Sequence, residues 1–399
     1  MPTALAPAEL SRGRKLLFGA VVVVLFCFTI EGIARIVWWR LEVASLRTHY
    51  QRGEAVLAND TINFMKVPDR VYGYKLKPGF RNESNTINAQ GFRRRDEVTI
   101  ARAPHSLRIV CLGDSTTLGT TDEANYPGML ERILERDAIG YQRYEVINAG
   151  VPGWLSDQVA LRVHHEVVAL KPDAVILYVG FNDFQSYDPM LPVAVKSSFF
   201  FVFGEAPWMA YASGASKAVA LFTAVAQRRR PLRPTAEDYQ DAAAHATPPA
   251  QRYRFLLKNL GGMVDELQSA NPSIKIFVGT MVGMWPQTPP QGKMEAPWWV
   301  EKHHVPPVQT AHFVDELNDQ LRGVAASHGA SLIDLASTFA PLDRTRLQSD
   351  FAHMYKDGYE LMAWAMFDAL HHAGLFTVRP ARRYEELLAA YRRPADAQH

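Results

Sequence analysis

The apolar positions of this chain fall into two regimes. From Leu16 to Ile30 they are almost unbroken, and from Leu107 onward short β-branched runs alternate with helical periodicity. The first regime predicts a membrane segment. A bilayer core needs roughly 20 helical residues, and Leu16–Ile30 alone falls short of that. Apolar character resumes after Glu31 and continues through Ile36, Val37, Trp38 and Trp39. Placing Glu31 and Arg35 near the far interface, with the two tryptophans as an aromatic belt, gives one span over residues 16–39. Arg12, Arg14 and Lys15 precede it in the 1–15 tail and predict a cytoplasmic N-terminus, while Arg40 and Arg47 on the far side work against that orientation. With the N-terminus inside, residues from 45 onward lie outside the cytoplasm, in the periplasm if the source is bacterial. A cleaved signal peptide is the rival reading. The apolar stretch is longer than a usual signal core and shows no small-x-small cleavage site, which favours an uncleaved anchor.

Residues 40–104 read as a connecting region. Tyr72 to Phe80 and Asn88 to Arg93 carry turn chemistry and little periodicity. A short β-ribbon or loop packed on the main domain is expected, with Arg93, Arg94 and Arg95 as a solvated face.

The second regime is regular. Leu107–Leu112 predicts a buried strand, which breaks into Gly113-Asp114-Ser115 before a helix over Tyr126–Asp137. Tyr144–Asn148 predicts a second strand, then a helix over Ser156–Leu170 with Ser156 as its N-cap. Ala174–Val179 is a near-continuous apolar run, as a strand covered on both faces should be. Helices over 252–269, 308–328 and 356–373 alternate with strands Ile274–Gly279 and Ser331–Leu335. This spacing predicts a doubly wound parallel sheet. The main domain is expected over 105–375, with a basic, partly helical tail over 376–399.

Residues 184–250 interrupt the rhythm. They hold Phe199–Phe203, a helix-like stretch from Ser216 to Gln227, and Arg228–Arg230. Three readings stay open: a lid over the site, an interfacial element touching lipid, or a helical subdomain burying its own aromatics. A Pro/Trp-rich loop at 285–307 is placed to shape a pocket.

Composition adds limits. With 399 residues, 48% hydrophobic, the chain can bury a sizeable core, and a formal net charge of +2 gives no argument for a nucleic-acid partner. The two cysteines, Cys27 and Cys111, fall in different environments, so neither a disulfide nor a metal site is expected.

The candidate chemistry sits at strand ends. A turn after the first buried strand lifts Ser115 to the carboxyl edge of the sheet, where ligands bind in such folds. A serine hydroxyl needs a base. Asp350 and His353, three residues apart before a helix, can supply a carboxylate holding Nδ1–H and an imidazole whose Nε2 faces the serine. The Ser115 amide, the Gly153 amide and the Asn182 side chain are candidate donors to an oxyanion. Each feature alone has a bland counterpart in an ordinary turn or helix cap; their order and shared edge carry the reading. His164-His165, His303-His304 and His371-His372 receive no catalytic role.

These blocks together resemble the SGNH (also called GDSL) hydrolases. Gly113-Asp114-Ser115 with Thr117 and Gly119 is similar to the family's first block, although Thr116 stands where leucine is usual. Asn148 to Gly153 is similar to the second, with Gly153 at the oxyanion position and Gly150 as a second candidate. Gly180-Phe181-Asn182-Asp183 resembles the third, and Asp350-Phe351-Ala352-His353 the fifth. The resemblance implies a three-layer α/β/α sandwich around a parallel sheet, flavodoxin-like in architecture. It implies ester hydrolysis through a serine acyl-enzyme, with no metal or organic cofactor. The expected substrate is a small-molecule ester or an ester of an envelope glycan or lipid. An O-acyltransferase using the same three residues on an envelope polysaccharide is the alternative, and a non-catalytic carbohydrate-binding scaffold is the third.

Overall fold

The computed structural model describes residues 11–51, 65–69, 71–186, 216–219, 221, 253–283, 300, 304–379 and 383–393. Continuous apolar runs became the central strands. β3 (Ser106–Gly113) and β6 (Ala174–Tyr178) are buried at every position, as strands covered on both faces must be. With β5 (Arg143–Gly150), β7 (Lys275–Gly279) and β8 (Ser331–Ile333) they form one parallel sheet in the order β5-β3-β6-β7-β8. Within the sheet this is the 2-1-3-4-5 order, whose direction of growth reverses between β3 and β6. That reversal opens a crevice at the carboxyl ends of those two strands.

Helices close both faces. On one, α3 (Tyr126–Asp137) and α8 (Lys356–His372) pack on each other; on the other, α6 (Arg254–Ala270) packs between α4 (Ser156–Arg162) and α7 (Pro307–Ser327). The sandwich is therefore the three-layer α/β/α arrangement that the pattern and the resemblance predict. Shorter elements are α2 (Ser115–Leu118) after β3 and α5 (Phe181–Ser186) after β6. Strands β4 (Ala138–Ile139) and β9 (Thr377–Val378) pair antiparallel, and a last helix covers Arg383–Tyr391.

Three local expectations change. The predicted helix Ser156–Leu170 is regular only to Arg162; it widens to a π turn over Val163–Val167 and tightens over Val168–Leu170. Leu155 rather than Ser156 occupies its N-cap, and the Ser156 hydroxyl donates to Asp183 instead. The last predicted strand stops at Ile333, because Asp334 accepts from the Ser337 amide and starts a short helix.

The connecting region supplies the expected ribbon, β1 (Lys66–Asp69) antiparallel to β2 (Gly73–Leu76). Arg93 is not a solvated cation. It is buried, with its guanidinium on Asp122 and Asn85, and its backbone bridges to Asn148 of β5.

Helix α1 runs from Arg12 to Gln51. Its Arg12–Val37 part is the one described helix long and apolar enough to cross a membrane. Leu16, Phe18, Phe26 and Phe28 point outward. Glu31 pairs with Arg35 at 2.8 Å and accepts from the Ser216 hydroxyl and the Lys217 and Ala218 amides, so the 216–219 stretch meets α1. The expected insertion at 184–250 otherwise lies almost wholly outside the described residues, as does most of the 285–307 loop.

Candidate active site

The site starts with a crowded turn. A Cβ on Gly113 would collide with Thr117 Oγ1 and with the Tyr178 carbonyl, so only glycine lets β3 turn that sharply beside β6. Asp114 caps the following turn, accepting from the Thr116 amide at 2.8 Å and its hydroxyl at 2.7 Å. The Asn148 amide closes the other end, donating to the Thr117 and Leu118 carbonyls at 3.1 Å each. Ser115 is thus the first residue of a one-turn helix held at both ends. Burial raises the Asp114 carboxyl, against the Thr116 donors and the His353 charge that favour its ionised form.

Ser115 meets its predicted partners. Its hydroxyl lies 2.8 Å from His353 Nε2, and His353 Nδ1 lies 2.7 Å from Asp350 Oδ2. Asp350 and His353 precede α8, and the Asp350 Oδ1 accepts from the Ala352 and His353 amides at 2.7 Å each. Burial works to raise the Asp350 pKa. The His353 charge and these donors outweigh it and hold the carboxyl below its usual range. An ionised carboxylate therefore faces the imidazole.

Gly153 and Asn182 come together through the residue that follows Gly153. The Asn182 amide donates to the Trp154 carbonyl at 3.0 Å, which ties the start of α5 to the residue after Gly153. Gly153 itself sits at φ +82°, a conformation that favours glycine, and its N–H has no partner among the described residues. Gly150 differs. Its N–H donates to Asn148 Oδ1 at 3.1 Å, and a Cβ there would collide with the Leu118 amide. Gly150 packs β5 against the serine turn, leaving its amide engaged.

Sequence reasoning missed the groups behind this loop. The Tyr74 hydroxyl of β2 donates to the Pro152 carbonyl at 2.8 Å, and the buried Trp154 indole donates back to the Tyr74 carbonyl at 3.1 Å. Asp183 accepts from the Ser156 amide at 3.0 Å and hydroxyl at 2.6 Å, and Asn259 of α6 donates to the same hydroxyl. Burial, with the nearby Asp157 and Asp114 charges, pushes Asp183 up to about 7. Asp183, the last residue of the Gly180-Phe181-Asn182-Asp183 block after β6, was the one member of this support that the sequence singled out with the site. Among the described residues no group of His, Cys, Asp and Glu is arranged to hold a metal ion.

A serine, a histidine and an aspartate in one hydrogen-bonded line at the strand-order reversal of a parallel α/β/α sandwich are an arrangement that recurs among hydrolases with a serine nucleophile. A model of the GDSL-like lipase/acylhydrolase family matches residues 111–361, more than half of the chain. The chain belongs to that family and is an ester-cleaving hydrolase. Among solved structures it is similar to the lipase/acylhydrolase from Enterococcus faecalis, at 21% identity and TM-score 0.39, over 69% of this chain and 100% of that one. It is also similar to the acetyl xylan esterase AlAXEase, at 17% identity and TM-score 0.38, over 66% and 100%. A GDSL-like lipase from Bacteroides thetaiotaomicron gives 14% identity and TM-score 0.37, over 67% and 88%. None of the curated proteins matches the chain.

Proposed function

We propose that the protein is a membrane-anchored serine esterase working through an acyl-enzyme on Ser115. The observation that carries this reading is the line from Ser115 Oγ to His353 Nε2 to Asp350, at 2.8 and 2.7 Å. His353 takes the serine proton as the hydroxyl attacks the ester carbonyl. The Ser115 and Gly153 amides and the Asn182 side chain receive the oxyanion. His353 then gives the proton to the departing alcohol, and water repeats the cycle to release the acid. Asp350 holds the imidazole in the tautomer this requires and stabilises the imidazolium. Helix α1 anchors the enzyme, with Arg12, Arg14 and Lys15 on the cytoplasmic side and the sandwich on the other.

The test is turnover of 4-nitrophenyl acetate by the full chain in uncharged detergent, with Ser115→Ala beside it. The variant should lose turnover and labelling by a serine-directed phosphonate while keeping its melting temperature. Full turnover by Ser115→Ala would overturn the mechanism.

A further inference from the structure

The ribbon ahead of the sheet brings a cation beside the Gly153 loop. Lys66, the first residue of β1, is half-buried, and a Cβ built on Gly153 would lie 3.7 Å from its Nζ. The ammonium lies 4.7 Å from the centre of the Tyr74 ring, and the Tyr74 hydroxyl is already engaged by Pro152. Lys66 has no hydrogen-bond or ion-pair partner among the described residues. The contrast within the same ribbon is Lys75, which pairs with Asp69 at 2.9 Å.

A partly desolvated cation without a counter-charge is unfavourable. Burial pushes the Lys66 ammonium down to about 8, so the charged form still prevails at neutral pH. The face of one tyrosine ring offsets only part of that cost. What would complete the site is an anion arriving from the crevice. The Lys66 Nζ stands beside the Gly153 backbone, so an acidic group on a ligand held at the Gly153 amide comes within its reach, and a charge-assisted hydrogen bond there is among the stronger polar contacts.

We propose that Lys66 forms a subsite for an anionic group, a carboxylate or a phosphate, carried by the substrate close to the scissile ester. The proposal rests on the esterase reading above and narrows its substrate to an acidic ester. Lys66 lies ahead of the family-matched residues 111–361, so the subsite is contributed by this chain's own ribbon.

The test compares kcat and KM of the full chain, in uncharged detergent, on three esters. These are neutral 4-nitrophenyl acetate, mono-4-nitrophenyl succinate with its anion on the acyl side, and 4-acetoxybenzoate with its anion on the alcohol side. Lys66→Met keeps an apolar stem over the Tyr74 ring and removes the charge. It should lower kcat/KM for one of the anionic esters about tenfold more than for the neutral one, mainly through KM. Lys66→Arg should restore most of that preference. The anionic ester that responds tells which side of the substrate carries the charge. Equal effects of Lys66→Met on all three esters would overturn the subsite while leaving the esterase reading intact. Turnover retained by Ser115→Ala, or none by the wild type on any of the three, would remove the esterase reading and the subsite with it.

Discussion

The Tyr74 hydroxyl donates to the Pro152 carbonyl at 2.8 Å, so a ribbon that precedes the sheet in sequence fixes the loop carrying Gly153. The phenol is buried, which raises its pKa well above the ordinary value and keeps it a neutral donor. Trp154 reinforces the contact from the other side through its indole bond to the Tyr74 carbonyl. The Gly153 amide thus owes its position to a residue outside the sheet's own elements.

Tyr74→Phe isolates that relationship. The ring and its place under the Lys66 ammonium remain, and one hydrogen bond to a buried carbonyl disappears. A stability loss of about 1 kcal/mol is expected. The larger effect should fall on kcat, because in the mechanism proposed above the Gly153 amide acts on charge that develops only in the transition state. Urea unfolding and steady-state kinetics on 4-nitrophenyl acetate check the two parts. A variant with unchanged kcat and a raised KM would show that Tyr74 shapes binding instead.

Asp350→Asn separates orientation from charge. The carbonyl oxygen of the substituted side chain would still accept from the Ala352 and His353 amides, so the turn is expected to hold. Its NH₂ would then face His353 Nδ1, leaving the ring proton on Nε2. That tautomer cannot accept the Ser115 proton. Turnover should fall on the order of 10³–10⁴-fold with little change in melting temperature. A loss of only a few-fold would mean that another group orients His353.

Much of this site could be read from the chain because its parts are local. Leu107–Leu112 announces a buried strand by unbroken apolar character, and Ser115 follows directly. Asp350 and His353 meet within one turn, so their spacing alone brings acid and base together. What could not be read depends on contacts between distant segments. Arg93 sits in a basic run that looks solvated, yet Asp122 and Asn85 make its burial tolerable. Ser156 has the chemistry of an N-cap, but a deeply buried carboxylate at Asp183 captures its hydroxyl first. Lys66 and Tyr74 belong to a ribbon of short strands with no periodic signal, and only the packed fold places them beside Gly153.

The buried Asp183 carboxyl should leave a signature in stability. Its ordinary pKa is 3.8 and burial pushes it up to about 7 in the folded protein. Between those values the folded state holds a proton that the unfolded state has released. The unfolded state binds fewer protons, so stability falls as pH rises, at up to about 1.4 kcal/mol per pH unit. The stabilising contribution is fully present below the unfolded value and lost as pH climbs through the folded one. Asp183→Asn keeps an acceptor for the Ser156 amide and cannot ionise, so it lacks this slope. Relative to wild type, the variant should gain stability between about pH 4 and pH 7 and keep a constant difference above that range. Urea midpoints measured across that range, in uncharged detergent, test the sign directly. Parallel curves for the two proteins would mean that Asp183 is already ionised in the fold, and that the Ser156 donors outweigh the cost of its burial.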